Sequence, residues 1–451
     1  MISNIRNIIV FSIFPFTVFS ASGADISFTG NKEEIVTIEP EKSTGLDRIY
    51  VAFSTDGLSA VLSDANATSA RWYRYSNLGG GYAEEITGTI NENGTSTLTN
   101  IEGDMGYIIE YGDARFCFWL VDYSKHVFDI SSVTPSATQD CNETTLDIEA
   151  SAEPIHYYSI NGRQLTLPRD IEVSYYNLEW DFDANQYIQQ LVVKSEDGLS
   201  SQYVIIPPVT CSTSFTVSGD RYLKAWGRAK EVESTPFTPT AVDCHTTATQ
   251  TMAPDDELGS NQISTGNLDA LGGSAPAEIE FRSFVTDAVI HYEWQFADDP
   301  EFEYLTHRIT EQDLTYTFTE EGTVYVRFIG SNADGSCEAY GDTYTINIGA
   351  SELRIPNAFS PDGDGVNDVW RVGYRSLTEF KCWIFDRYGH EIYHFDNPSG
   401  GWDGKRDGKY VESGVYYYVI QAVGADGRKY KKGGDINILR HKNVNNNVTQ
   451  D

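Results

Sequence analysis

Tyr292-Glu293-Trp294-Gln295-Phe296 and Arg71-Trp72-Tyr73-Arg74-Tyr75 each set a tryptophan inside a short alternating aromatic run. A period of two sends every second side chain to one face, the pattern of a half-buried strand. Working outward, Arg48-Ile49-Tyr50-Val51-Ala52-Phe53, Thr323-Val324-Tyr325-Val326-Arg327-Phe328 and Tyr416-Tyr417-Tyr418-Val419-Ile420 are likewise rich in β-branched and aromatic residues. Gly, Asp, Asn and Ser bound these runs, as they bound strands. Asn93-Gly94, Asn161-Gly162, Asp197-Gly198, Asp334-Gly335 and Asp426-Gly427 supply the positive-φ residues of tight hairpins. No segment reads as an amphipathic helix of three or more turns. The expectation is an all-β chain of sandwiches or barrels.

The two tryptophan strands also begin a loose internal repeat. Cys117 follows Trp72 by 45 residues and Cys337 follows Trp294 by 43, with Gly-led strands at Gly106-Tyr107-Ile108-Ile109 and Gly322-Thr323-Val324-Tyr325 between. A buried tryptophan on one sheet facing a later strand of the other is what the centre of an immunoglobulin-like sandwich needs. Leu178-Glu179-Trp180-Asp181-Phe182 begins a poorer copy, because Cys211 follows Trp180 by only 31 residues. Thr315-Tyr316-Thr317-Phe318, Gly322 and Asn332-Ala333-Asp334-Gly335-Ser336-Cys337 resemble the PKD-type repeats of bacterial surface proteins. That resemblance implies a PKD-like or immunoglobulin-like sandwich over 277–348.

The chain has 451 residues, 32 Lys+Arg against 66 Asp+Glu, and a net charge of −34. Aromatics at 13% argue against wholesale disorder. The acidity argues against a general binder of nucleic acid or anionic membrane. It is unevenly distributed: 14 basic and 14 acidic residues follow Ser351, whereas 25–351 hold 17 basic and 52 acidic residues, a net of −35. A shift that sharp marks a module boundary near Ser351. The 427 residues after residue 24, terminal module included, divide into four units of about 107, one sandwich each. The expected organisation is a signal peptide at 1–24, an immunoglobulin-like sandwich at 25–140, and a second sandwich at 141–251. A PKD-like or immunoglobulin-like sandwich at 252–351, a terminal module at 352–442 and a polar tail at 443–451 complete it. Thr246 to Pro276, rich in Thr, Gly, Ser, Asp and Asn, reads as a linker or long loop.

Arg6 is the only charge in the first 24 residues, Ile8 to Phe19 is almost wholly apolar, and Ala21-Ser22-Gly23-Ala24 offers a cleavage site. The apolar run, interrupted by Pro15, is short of the roughly 20 residues that span a bilayer. No later segment is long and apolar enough, so the cleaved chain is expected to be exported without a transmembrane segment. Six cysteines in an exported chain permit disulfides in 15 pairings. Proximity in sequence favours Cys117 with Cys141 and Cys211 with Cys244, leaving Cys337 and Cys382 as buried thiols. No CxxC or Cys/His spacing supports zinc.

From Leu353 the sequence becomes specific. Ile355-Pro356-Asn357-Ala358-Phe359-Ser360-Pro361-Asp362-Gly363-Asp364-Gly365-Val366-Asn367-Asp368-Val369-Trp370 opens it, and Trp383-Ile384-Phe385-Asp386-Arg387-Tyr388-Gly389-His390-Glu391-Ile392-Tyr393 follows. Gly401-Trp402-Asp403-Gly404-Lys405, Gly414-Val415-Tyr416-Tyr417-Tyr418-Val419-Ile420 and Lys431-Lys432-Gly433-Gly434-Asp435-Ile436-Asn437-Ile438-Leu439-Arg440 close it. Read unaided, the blocks describe a small closed antiparallel sandwich: Gly389 is available for positive φ in a turn between aromatic strands, and Trp402 is a large apolar anchor at a corner. Together they resemble the gliding motility-associated C-terminal domain, the type B sorting domain of the Bacteroidetes type IX secretion system. The resemblance implies a secretion address recognised by the outer-membrane translocon and by a dedicated outer-membrane partner. Asp362 departs from the Asn commoner in that family.

Asp362, Asp364, Asn367 and Asp368 carry the oxygen donors that calcium takes. The EF-hand template fails on them, since from Asp362 its sixth position is Asn367 and its twelfth is Gly373. A turn held by Asx-type bonds is the simpler account. His126, His156, His291 and His390 form no HExxH pattern, and no GxSxG, Walker or dinucleotide motif occurs. Gly79-Gly80-Gly81 lacks the Lys-Ser/Thr of a phosphate loop. Glu84-Glu85 and Asp298-Asp299 are adjacent pairs, which on a strand point to opposite faces rather than flank one glycosidic bond. The passenger, 25–351, is therefore expected to be a non-catalytic adhesion or binding array, taking a host protein, glycan or cell-surface ligand. A structural component of the envelope or motility apparatus is the alternative, and a carbohydrate-active enzyme a third.

Overall fold

The computed structural model describes residues 25–30, 33–79, 81–196, 202–251, 261–263 and 271–439. The expected signal peptide and the 443–451 tail lie outside the described residues. As expected, the described residues are nearly all β, and the one α-helix among them is a short turn, Arg221–Ala225. Four sandwiches follow one another, each with its own apolar core.

The first packs a four-stranded sheet against a six-stranded one, between Asp25–Thr29 and Ala114–Asp122. Trp72 is fully buried and its Nε1 donates to Ser96 Oγ at 2.8 Å. The residue that meets its ring from Ala114–Asp122 is Phe118, edge-on at 6.4 Å, and not Cys117. Parity explains the difference: Cys117 is one residue away and faces the other side of the sheet. That other side is also buried. Ile49, Val51, Trp119 and Val121 pack there against the Ile155–Tyr158 and Gln164–Leu167 hairpin and against Tyr222 of the helix. The first two sandwiches thus share a core.

The second sandwich pairs Phe128–Pro135, Thr144–Ala152 and Tyr203–Ile206 in one sheet. Ile171–Asp181, Gln186–Glu196, Thr216–Gly219 and Lys230–Glu233 form the other. Its first strand starts ahead of the boundary expected near 140. A buried ion pair pins it to the first sandwich: Arg169 Nε donates to Asp220 Oδ2 at 2.7 Å, its terminal nitrogens donate to the Val127, Glu153 and His126 carbonyls, and Tyr123 Oη bridges both partners. Asp220 also caps the helix, accepting from Tyr222 and Leu223 N–H.

In the third sandwich Trp294 is buried against Phe281 and Phe328, and its Nε1 donates to the Gln312 carbonyl. Cys337 is not opposite Trp294; it lies in a turn and is bonded to Cys141. This corrects both expected disulfides. Cys117, Cys211 and Cys244 are buried free thiols. Cys117 sits in the core shared by the first two sandwiches, Cys211 against the Tyr176 carbonyl, and Cys244 in the third core. Neighbours in sequence are separated by the module cores that claim them. Cys141, in the loop before Thr144–Ala152, reaches the third module because the long Ile171–Asp181/Gln186–Glu196 hairpin leans on it: Trp180 stacks on His245 at 4.4 Å and packs on Phe284. Of the stretch read as linker, Cys244–Gln250 is a strand of the third sandwich, and Asn261–Ile263 pair with Tyr374 of the fourth module.

Candidate functional site: the terminal module

Five strands make the main sheet of the fourth module, in the order Ala358–Phe359, Lys429–Ile438, Gly414–Gly424, Leu377–Phe385 and Glu391–Phe395. Alternation sends Phe380, Cys382, Ile384, Ile420, Ala422, Tyr430, Ile436 and Ile438 to one face. A second layer covers that face. In it Trp370 and Trp402 exchange backbone hydrogen bonds at 2.9 and 3.0 Å, and both rings are fully buried. Trp370 Nε1 donates to the Pro356 carbonyl and Trp402 Nε1 to that of Lys405, so neither indole loses a bond on burial. Phe359 and Tyr416 flank Trp402, and Tyr418 packs on Trp370. Burial pushes the Cys382 thiol up to about 12, leaving it an apolar filler.

The expected motif residues come together as parts of this scaffold. Asn357 accepts from Asn437 N–H, which holds the short edge strand to the sheet. Asp368 accepts from Gly363 and Gly365 N–H, at 2.6 and 2.8 Å, and those bonds hold its carboxyl below the usual range. Gly363, Gly365 and Asn367 all have positive φ, so the Asp-Gly-Asp-Gly spacing is a backbone requirement of the loop. The ligand oxygens of Asp362, Asp364 and Asp368 lie within 4.8 Å of one another, and each carboxylate also accepts a loop N–H. Those donors have the type and closeness that calcium uses, while the same bonds complete an Asx-held turn. Asp403 holds Lys405 through both its N–H and its Nζ, and Gly404 turns the chain against Pro361. Asp386 caps the Arg387-Tyr388-Gly389 turn through Tyr388 and His390 N–H. Gly414 opens its strand, and Tyr416 Oη donates to the Glu412 carbonyl.

Phe385 differs from these residues. It lies on the outward face of the sheet with Trp383, Val415, Tyr417 and Val419. Sequence reasoning missed that face, although Tyr416 to Ile420 already announced it by being apolar at both parities. It also missed the joint to the third module, where Ser376 exchanges bonds with Ser274 and Ala275, and Tyr430 Oη donates to the Ser351 carbonyl.

Comparison with known proteins agrees with this geometry at two places. Residues 132–234 match the family model of a fibronectin type III domain, which places the second module among the immunoglobulin-like sandwiches. Residues 353–438 match that of the CHU_C Type IX secretion signal domain, as the motif blocks implied. No curated protein matches the chain. Solved structures with partial likeness include three N-terminal domains of the bacteriophage RB49 outer capsid protein Hoc, at 11% identity, TM-score 0.21, covering 70% of this chain and 100% of that one. A 1.5-MDa bacterial ice-binding adhesin matches at 9% identity and TM-score 0.19, covering 70% and 99%, and fibronectin(III)-like modules of Clostridium thermocellum CbhA at 10% and 0.17, covering 43% and 95%. The fold and its site define an array of immunoglobulin-like sandwiches ending in a sorting module. The particular address is that of type IX secretion, and the protein is exported to the cell surface or the extracellular space. Among the described residues, no helix is long and apolar enough to cross a membrane.

Proposed function

We propose that residues 25–351 are a non-catalytic adhesion or binding array, carried out of the cell by the terminal module through the type IX translocon and a dedicated outer-membrane partner. The single observation that carries the binding reading is how the first three sandwiches are joined. A shared core, the Arg169–Asp220 pair and the Cys141–Cys337 bond fix their mutual geometry. Joints that fixed suit a surface presented at a distance from its anchor, and the loops of such sandwiches suit protein or glycan contact. The test is twofold. Chain lacking 353–451 is expected to stay inside the cell, and its normal appearance outside refutes the sorting role. Purified passenger is expected to bind host proteins, glycans or sibling cells; turnover of a polysaccharide without such binding refutes the array reading.

A further inference from the structure

The signature residues of the terminal module are consumed in building it: Trp370, Trp402 and Phe359 lie in its core, and Asp362 to Asp368 bond one another's backbone. A receptor cannot read a buried indole. It reads surface, and one surface here is unlike the rest. Register places Phe385 beside Tyr417, and Trp383 beside Val419, on the face of the sheet turned away from the core. Val415 continues the row toward Asn437, and Gly433 leaves a slot next to Val419. Val415, Tyr417 and Val419 are 45, 46 and 41% exposed, and Trp383 and Phe385 are half-buried. A central strand flanked on both sides by hydrogen-bonded neighbours, yet apolar on both faces, is what a sheet buried on both faces shows. The third module does not provide that cover, since its contacts run through Ser274, Ala275 and Glu321 to Ser376 and Ala425 at the far end.

One step along the same face, Lys381 and Lys431 flank Gln421; beyond them Val423 lies between Glu379 and Lys429, and at the other end Tyr417 lies beside Asp435. Although 52 acidic residues precede the module, none of these three lysines makes an ion pair among the described residues. The cationic row is the Lys381–Gln421–Lys431 one, next to the Trp383–Val419 row, and an aromatic and aliphatic patch with that edge calls for an apolar surface carrying carboxylates opposite Lys381 and Lys431. Resting on the sorting role proposed above, we propose that this face docks onto an outer-membrane protein of the type IX machinery, with Tyr417 and Val419 at the centre and Lys381 and Lys431 paired to carboxylates on that partner.

Full-length chain carrying Tyr417→Lys with Val419→Lys, and a second variant carrying Lys381→Glu with Lys431→Glu, are to be expressed in type IX-secreting cells. The amount outside is expected to fall about tenfold or more for the first and by less for the second. Purified variants should keep the wild-type melting profile. If the first pair lowers melting, the second pair decides, because it changes only exposed charge. A photocross-linking residue at Tyr417 is expected to capture a type IX outer-membrane protein, identified by mass spectrometry. Normal export of both variants, or cross-linking to a second copy of this chain or to lipid instead, overturns the assignment. If deletion of 353–451 blocks export while both variants pass, only the docking face fails; if the deletion passes too, the sorting role fails with it.

Discussion

Replacing Trp402 with alanine removes one of the two fully buried tryptophans that anchor the terminal module. Its ring is fully buried against Phe359 and Tyr416, and its Nε1 satisfies the Lys405 carbonyl. Large-to-small changes of this kind cost about 3–5 kcal/mol, and an orphaned carbonyl adds about 1 kcal/mol. A module of this size commands about 4–13 kcal/mol in total, so Trp402→Ala takes a third of its stability at the least and all of it at the most. The unfolded fraction should rise by roughly a thousandfold. In calorimetry of the full-length protein, one transition should move down or vanish while the passenger transitions stay, because the cores are separate. In cells, protein should accumulate short of the exterior. The opposite comparison is Trp383→Ala on the outward face, which should leave melting nearly unchanged. If Trp402→Ala melts as wild type, the packing argument is wrong. If it loses the transition and is still exported normally, folding of the module is not what the secretion route reads.

Other expectations follow from the joints and loops. Arg169→Met strands the Asp220 carboxylate in a site without exposure, and should cost about 3–5 kcal/mol; because the first two sandwiches share a core, both should be destabilised in one calorimetric transition, and two independent ones would refute the shared core. Cys337→Ser should leave every core transition in place yet broaden the distribution of passenger shapes in small-angle scattering, since the bond links modules rather than strands of one module. The Asp368 carboxyl is held low by Gly363 and Gly365 N–H. A depressed folded value means its contribution is present above the unfolded value of about 3.9 and is lost as pH falls through the folded value. Protection of those two amides in hydrogen exchange should therefore fall with acid and persist at neutral pH, and Asp368→Asn should weaken it at neutral pH and abolish its dependence on acid.

Much of this fold was legible because it rests on local rules. The period-two aromatic runs became strands, Gly363, Gly389 and Gly427 took the positive φ their turns require, and the motif blocks after Leu353 built one closed module. What failed was parity and distance. Trp72 was correctly placed in a core, but a spacing of 45 residues says nothing about whether residue 117 or 118 faces it, and one residue decides the face. The disulfide failed for the complementary reason. Loop length ranks Cys141 with Cys117, but the pairing is set by which modules lean together, and that depends on Trp180 reaching His245, a contact between residues 65 apart. The Arg169 cluster was invisible in the same way, drawing its acceptors from residues on both sides of a module boundary.

The same distinction bears on what a secretion address is. A sequence motif recognisable across a family need not be the surface a receptor touches; here its glycines set backbone angles and its tryptophans fill the core. Substituting them breaks the module before it can break a contact, so loss of export in such variants cannot separate folding from recognition. Tyr417, Val419, Lys381 and Lys431 escape that confusion, because their side chains contribute little to the core. Loss of export with melting intact at those positions measures recognition alone. Retention of export there, alongside loss in Trp402→Ala, would instead mean that the machinery senses a folded module through its other layer, where Arg354 and Arg371 line a groove of about 680 Å³ beside the Asp368 loop.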